Sequence, residues 1–185
     1  GAPVRRSAGR VRALTARIGG GVGHLEEAVG RVLAATAARG WDDDVDVILA
    51  SDHGEFQGDF GLLFKGPYHV DALMRVPLIW RPAPSANITP AIVTTPVGLV
   101  NLAPTFSAIA GRDQPDWMQG GQLPVDGSGG PERVLTEWDS ELCGVDVHMR
   151  TITRDRWVCT AYRPGTLHDG TEGELYDLKY EPRQF

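Results

Sequence analysis

The stretch VDVILASDHGEFQGDFGLLFKG, residues 45–66, sets an apolar run directly before Asp52-His53-Gly54 and a lysine, Lys65, after a glycine-rich segment. A carboxylate oxygen and a neutral imidazole nitrogen are both competent ligands for a metal cation. A lysine ammonium is a compact point charge suited to an anion. Adjacent side chains of a strand point to opposite faces. In an irregular loop that Gly54 permits, Asp52 and His53 can instead turn toward one centre. Two ligands do not fill a coordination shell, so further donors must come from elsewhere. Taken alone, the tripeptide also fits a structural role, with Asp52 capping a turn and His53 packing.

The elements that must position these residues are legible around them. HLEEAVGRVLAATAAR, from His24 to Arg39, has Leu25, Ala28, Val29, Val32 and Leu33 on one face at spacings of three and four, which predicts a helix. Glu26 and Glu27 suit its first turn and Arg39 its last, and Gly40 supplies the stop. WDDD connects it to the strand VDVILA, giving an αβ unit of the kind that builds a sheet with helices on its faces. In such sheets ligands gather beyond the carboxyl ends of the strands, where Asp52 and His53 stand. VPLIW, from Val76 to Trp80, reads as a second buried strand, followed by the proline-rich loop RPAPSANITP. A helix is expected from about Pro104 to Gly111, then a long irregular loop to Pro131. Beyond it RVLTEWD, HMRTITRD and RWVCTAYR have the β-branched and aromatic content of short strands, with RDRW as a hairpin turn.

Length and composition are those of a globular protein with one main core: 185 residues, 42% hydrophobic and 23% charged. The net charge of −6 is uneven, because residues 1–20 carry five arginines (Arg5, Arg6, Arg10, Arg12, Arg17) and no acid. With no interleaved aromatic residue and no nucleic-acid motif, this segment reads as a solvated or frayed terminus rather than a nucleic-acid arm. No apolar run approaches the roughly 20 residues that span a bilayer, and the N-terminus lacks the apolar middle of a signal peptide. The compartment is left open, with the cytoplasm as default. Cys143 and Cys159 lack CxxC spacing, so a structural zinc site is not expected. One disulfide or two buried thiols are the alternatives.

Ser51-Asp52-His53-Gly54-Glu55, then GDFGLLFKG, then Arg75-Val76-Pro77-Leu78-Ile79 resembles the sulfatase family, within the alkaline-phosphatase-like superfamily, in order and spacing. VNLAPTFSAIAG resembles a further family segment, with Asn101 where aspartate is usual, and ELYDLKYEP resembles a strand of the family's C-terminal subdomain. The resemblance runs from about Val22 to the end. It implies an α/β fold: part of an alkaline-phosphatase-like sheet with flanking helices, plus a small C-terminal antiparallel β subdomain. The implied division is a basic segment 1–20, the α/β part 21–131 and the small subdomain 132–185.

By the same resemblance, Asp52 and His53 are two ligands of a divalent cation, calcium or else magnesium or manganese, and Lys65 is a catalytic residue that contacts the substrate's sulfate group. His69 is a further candidate to reach the substrate, with packing as its alternative. Asp71 is expected to be structural, and Arg75 to pair with a carboxylate inside the fold. His148 and His168 have no partner that the sequence assigns. The family nucleophile, a formylglycine made in C-x-P-S-R or a related serine motif, has no counterpart here, since Cys143 precedes Gly-Val-Asp and Cys159 precedes Thr-Ala-Tyr. The expected reading is the C-terminal portion of a hydrolase for small-molecule sulfate esters, inactive alone and completed by an N-terminal portion that carries the nucleophile. Neither nucleic acid nor a membrane is an expected partner. The alternatives are a phosphonate monoester or phosphodiester hydrolase of the same superfamily, and a non-catalytic fragment or assembly subunit.

Overall fold

The computed structural model describes residues 3–126, 129–182 and 184. The chain divides into two compact units. The first comprises Gly1–Ala50, Glu55–Phe64 and Pro77–Asn87. Its long helix α1, Pro3–Ala37, begins well before the expected start at His24. Val11, Leu14 and Ile18 continue the spacing of three and four upstream, and the helix runs on through Gly19-Gly20-Gly21 although each glycine costs about 1 kcal/mol of helix propensity. Residues 3–20 are therefore helical rather than frayed, and Glu26 and Glu27 lie mid-helix. The side chains of Arg5, Arg6 and Arg10 are outside the described set. At the far end Arg39 donates to the Ala35 carbonyl at 3.1 Å and Gly40 adopts a φ of 71°, the left-handed stop expected there. No helix among the described residues is long and apolar enough to cross a membrane.

Strand β1, Val47–Ala50, pairs with β4, Leu78–Arg81, and Trp80 Nε1 ties the pair by donating to Asp46 at 2.7 Å. The short strands β2, Phe56–Gln57, and β3, Leu63–Phe64, form a second pair. Within this unit Phe56 is buried and meets Phe60 edge-on. β1 and β4 run antiparallel, Ile48 opposite Trp80, as do all strand pairs among the described residues. Parallel strands need a crossover of a dozen or more residues, usually a helix, and the one α-helix between β1 and β4 in the chain has only four residues.

The second unit comprises Ser51–Gly54, Lys65–Val76 and Ile88–Phe185. It holds the four-residue helix α2, Asp71–Met74, the helix α3, Leu102–Ile109, and a four-stranded meander. The strands are β5 Val134–Leu142, β6 Val145–Arg154, β7 Trp157–Tyr162 and β8 Gly173–Asp177, in that spatial order. This is the small C-terminal antiparallel sheet that the β-branched runs predict. Its first hairpin turns at Cys143-Gly144, both at positive φ (55° and 79°), the twist that suits a two-residue hairpin. Val147, Met149 and Thr151 of β6 and Val158 and Thr160 of β7 are buried, while Ile152 lies on the alternate face and stays exposed. Cys143 and Cys159 are free and exposed, so neither the disulfide nor the buried thiols are formed.

Asn101 explains itself structurally. It is 3% exposed; its side-chain oxygen accepts from the Gly98 N–H at 2.9 Å and its amide donates to the Gly121 carbonyl at 2.8 Å. An aspartate could accept the first bond but not donate the second. Asn101→Asp should therefore lower stability by roughly 1–3 kcal/mol at neutral pH, read from urea unfolding, because the buried side chain loses its bond to the Gly121 carbonyl and sets a carboxylate oxygen against it. An unchanged midpoint would show that the amide is not used.

Candidate active site

Asp52 and His53 follow β1 directly in the chain, and their geometry is set by backbone contacts. Ser51 Oγ donates to the His53 carbonyl at 2.9 Å, and the His53 N–H donates to Asp52 Oδ1 at 3.0 Å. The Gly54 N–H donates to the Leu73 carbonyl at 2.7 Å. A Cβ on Gly54 would lie 2.0 Å from the Ala72 carbonyl oxygen, so only glycine lets the loop lie against this turn. Ser51 is the contributor that the sequence reading passed over; its place beside the Asp-His pair was the available signal.

His53 Nδ1 lies 2.8 Å from the Gly54 carbonyl oxygen. A carbonyl only accepts, so Nδ1 carries the proton and Nε2 presents its lone pair. That lone pair meets Lys65 Nζ at 2.6 Å, and Asp52 Oδ2 stands 3.4 Å from the same nitrogen. The structure thus brings together Asp52, His53 and Lys65. The His53 N–H holds the Asp52 carboxyl below its usual range, with the positive charge of Lys65 adding a smaller attraction. Asp52 is 83% exposed, so the group is open.

The donor set fits a cation. An ionised carboxylate oxygen and an imidazole lone pair lie side by side, and a positive group already sits on the nitrogen. An imidazole whose other nitrogen donates to a backbone carbonyl is also the arrangement that metal-ligating histidines use. Among the described residues no group of three or more His, Cys, Asp or Glu side chains is gathered to hold a metal ion.

His69 is elsewhere in the same unit. It is 8% exposed, and its Nδ1 meets Thr151 Oγ1 at 2.8 Å. Burial holds the His69 imidazole below its ordinary value of 6.5. Arg75 reaches Asp71 at only 3.9 Å and is 79% exposed, so the expected internal ion pair is instead a surface one. The Asp71 N–H donates to the Gln184 side chain at 2.5 Å. His148 finds Asp139, directly opposite it across β5 and β6, and His168 stacks on Tyr162.

The His69 shift has a pH consequence. The folded chain takes up the His69 proton less readily than the unfolded chain, whose value is near 6.5. Stability is therefore full above that pH and declines as pH falls through the window beneath it. Urea midpoints compared at about pH 7.5 and about pH 5.5 should drop more for the wild type than for His69→Gln, which cannot titrate. Equal drops would remove His69 from the acid response.

No family model matches this chain. It is 29% identical over 160 residues to a protein named as the uncharacterized sulfatase YidJ of Escherichia coli, covering 86% of this chain and 31% of that protein. It is 28% identical over 169 residues to a choline-sulfatase of Rhizobium meliloti, covering 88% and 32%. A solved structure from work on the metabolism of multiple glycosaminoglycans by Bacteroides thetaiotaomicron superposes with a TM-score of 0.70 at 23% identity, covering 89% of this chain and 37% of that one. The chain spans about a third of the length of these relatives.

Proposed function

Taking this sulfatase-like sequence and fold as premise, we propose that the chain supplies part of the active centre of a sulfuric ester hydrolase. The observation that carries this reading is the convergence of Asp52 Oδ2, His53 Nε2 and Lys65 Nζ. Asp52 and His53 would hold a divalent cation, calcium or else magnesium or manganese. When bound, such a cation polarises the oxygens of the ester.

The chain's own residues carry the rest. Asp52 stays ionised because the His53 N–H and the Lys65 charge favour its anion. His53 keeps its proton on Nδ1 through the Gly54 carbonyl, which leaves Nε2 as a ligand. Lys65 covers that lone pair with its ammonium and must release it whenever another cation takes the nitrogen. Once released, Lys65 binds the sulfate and offsets negative charge as the S–O bond breaks. The nucleophile, a formylglycine, comes from another portion of the intact enzyme. Residues 1–185 alone are inactive on this reading, because a pair of cation ligands and a lysine position an ester but do not attack it.

The test uses both the chain and its parent enzyme. Inorganic sulfate added to the 185-residue chain, in the presence of calcium, should shift the NMR signals of Lys65 and His53. Lys65→Ala should abolish the sulfate response. In the parent enzyme the same substitution should lower kcat/KM for an aryl sulfate by about a hundredfold or more, as loss of an electrostatic contact to the reacting group does. Turnover by residues 1–185 alone, or an active Lys65→Ala parent enzyme, would sink the assignment. A parent enzyme that turns over phosphonate esters in place of sulfates would move the reaction to its superfamily rival.

A further inference from the structure

The residues that hold the Lys65 segment in place lie far away in the sequence. His69 is buried, and its Nδ1 meets Thr151 Oγ1 at 2.8 Å. Thr151 Oγ1 meets Thr160 Oγ1 at 2.7 Å, both threonines being 3% exposed on the inward face of β6 and β7. Two residues beyond His69, the Asp71 N–H is capped by the buried side chain of Gln184 at 2.5 Å. Two further on, the Leu73 carbonyl accepts from Gly54, next to His53. A continuous path of buried hydrogen bonds and short backbone links thus joins the C-terminal sheet, the 65–74 segment and the Asp-His loop.

We propose that His69 is a positioning residue: its imidazole, hydrogen-bonded to Thr151 and through it to Thr160, fastens the 65–74 segment to the sheet and so sets Lys65 against His53. This rests on the reading of Asp52, His53 and Lys65 as the site and adds what holds them. The chemistry favours it over simple packing. Replacing His69 by an apolar side chain would leave Thr151 with one partner fewer in a buried place, whereas Thr151→Ser keeps the hydroxyl. A buried polar chain of this kind fixes one arrangement because every alternative leaves a group unsatisfied; no buried side-chain nitrogen or oxygen among the described residues lacks a partner.

The test reads the imidazole of His53 in the 185-residue chain by nitrogen-detected NMR, with no ester present. In Thr151→Val the His53 Nε2 signal should move toward that of a free imidazole as the Lys65 contact is lost, while Thr151→Ser restores it. A purely structural role predicts a folded Thr151→Val chain with the His53 signal unchanged, and that result overturns the proposal. Native-state hydrogen exchange on the wild type gives a second measurement should the variants fail to fold. The Gly54 amide, bonded to Leu73, should open together with the β6 amides of Met149 and Thr151. If Gly54 instead exchanges independently and far more readily than β6, the path does not act as a unit and the proposal fails. A shifted His53 signal in Thr151→Val with no sulfate response in the wild type would count against the function and not against this role.

Discussion

The bond from the Gly54 N–H to the Leu73 carbonyl is the constraint on which the site depends. It fixes where the Asp-His loop lies, and the bare Cα of Gly54 is what allows the approach, since a methyl group there would overlap the Ala72 oxygen. Once the loop is held, short local bonds do the remainder: Ser51 to the His53 carbonyl, the His53 N–H to Asp52, and His53 Nδ1 to the Gly54 carbonyl. None of these needs a bound ion. The pair is held by the backbone, so on the proposed function its oxygen and nitrogen would need little further ordering to meet a cation.

Much of this was legible because the chemistry is local. Asp52 and His53 are neighbours, Lys65 follows after one glycine-rich turn, and the structure brings the three side chains together. The four strands of the C-terminal sheet were readable for a similar reason: β-branched alternation and turn residues act over a few positions. The antiparallel pairing of β1 with β4 was not readable, because a strand's apolar content is silent about its neighbour's direction. The early start of α1 was hidden by three glycines, whose propensity cost the rest of the helix overrides.

The partners of His69 and Asn101 were not legible for another reason. Each is buried by residues distant in the chain, Thr151 for the first and Gly121 for the second. A histidine four residues past a site lysine invites a role at the substrate, and only the register of β6 places Thr151 within reach of its ring. Likewise the partner of His148 follows from the cross-strand pairing of β5 with β6, which sets Asp139 opposite it. Such assignments need the sheet first.

The contact between Lys65 and His53 carries the last step of the argument. Two positive groups cannot share one lone pair, so an ammonium on Nε2 and a cation held by the Asp52–His53 pair exclude each other. At 2.6 Å the ammonium occupies the nitrogen that a cation would take. Its attraction is weakened by water because the carboxylate beside it is exposed. On the proposed function, Asp52 and His53 would hold a divalent cation in place of the ammonium most readily where that water is removed and further oxygen ligands are supplied. The same lysine would then be free to meet an anion. On the proposed function, filling one role would release the residue for the other, an ordering that charge and distance favour.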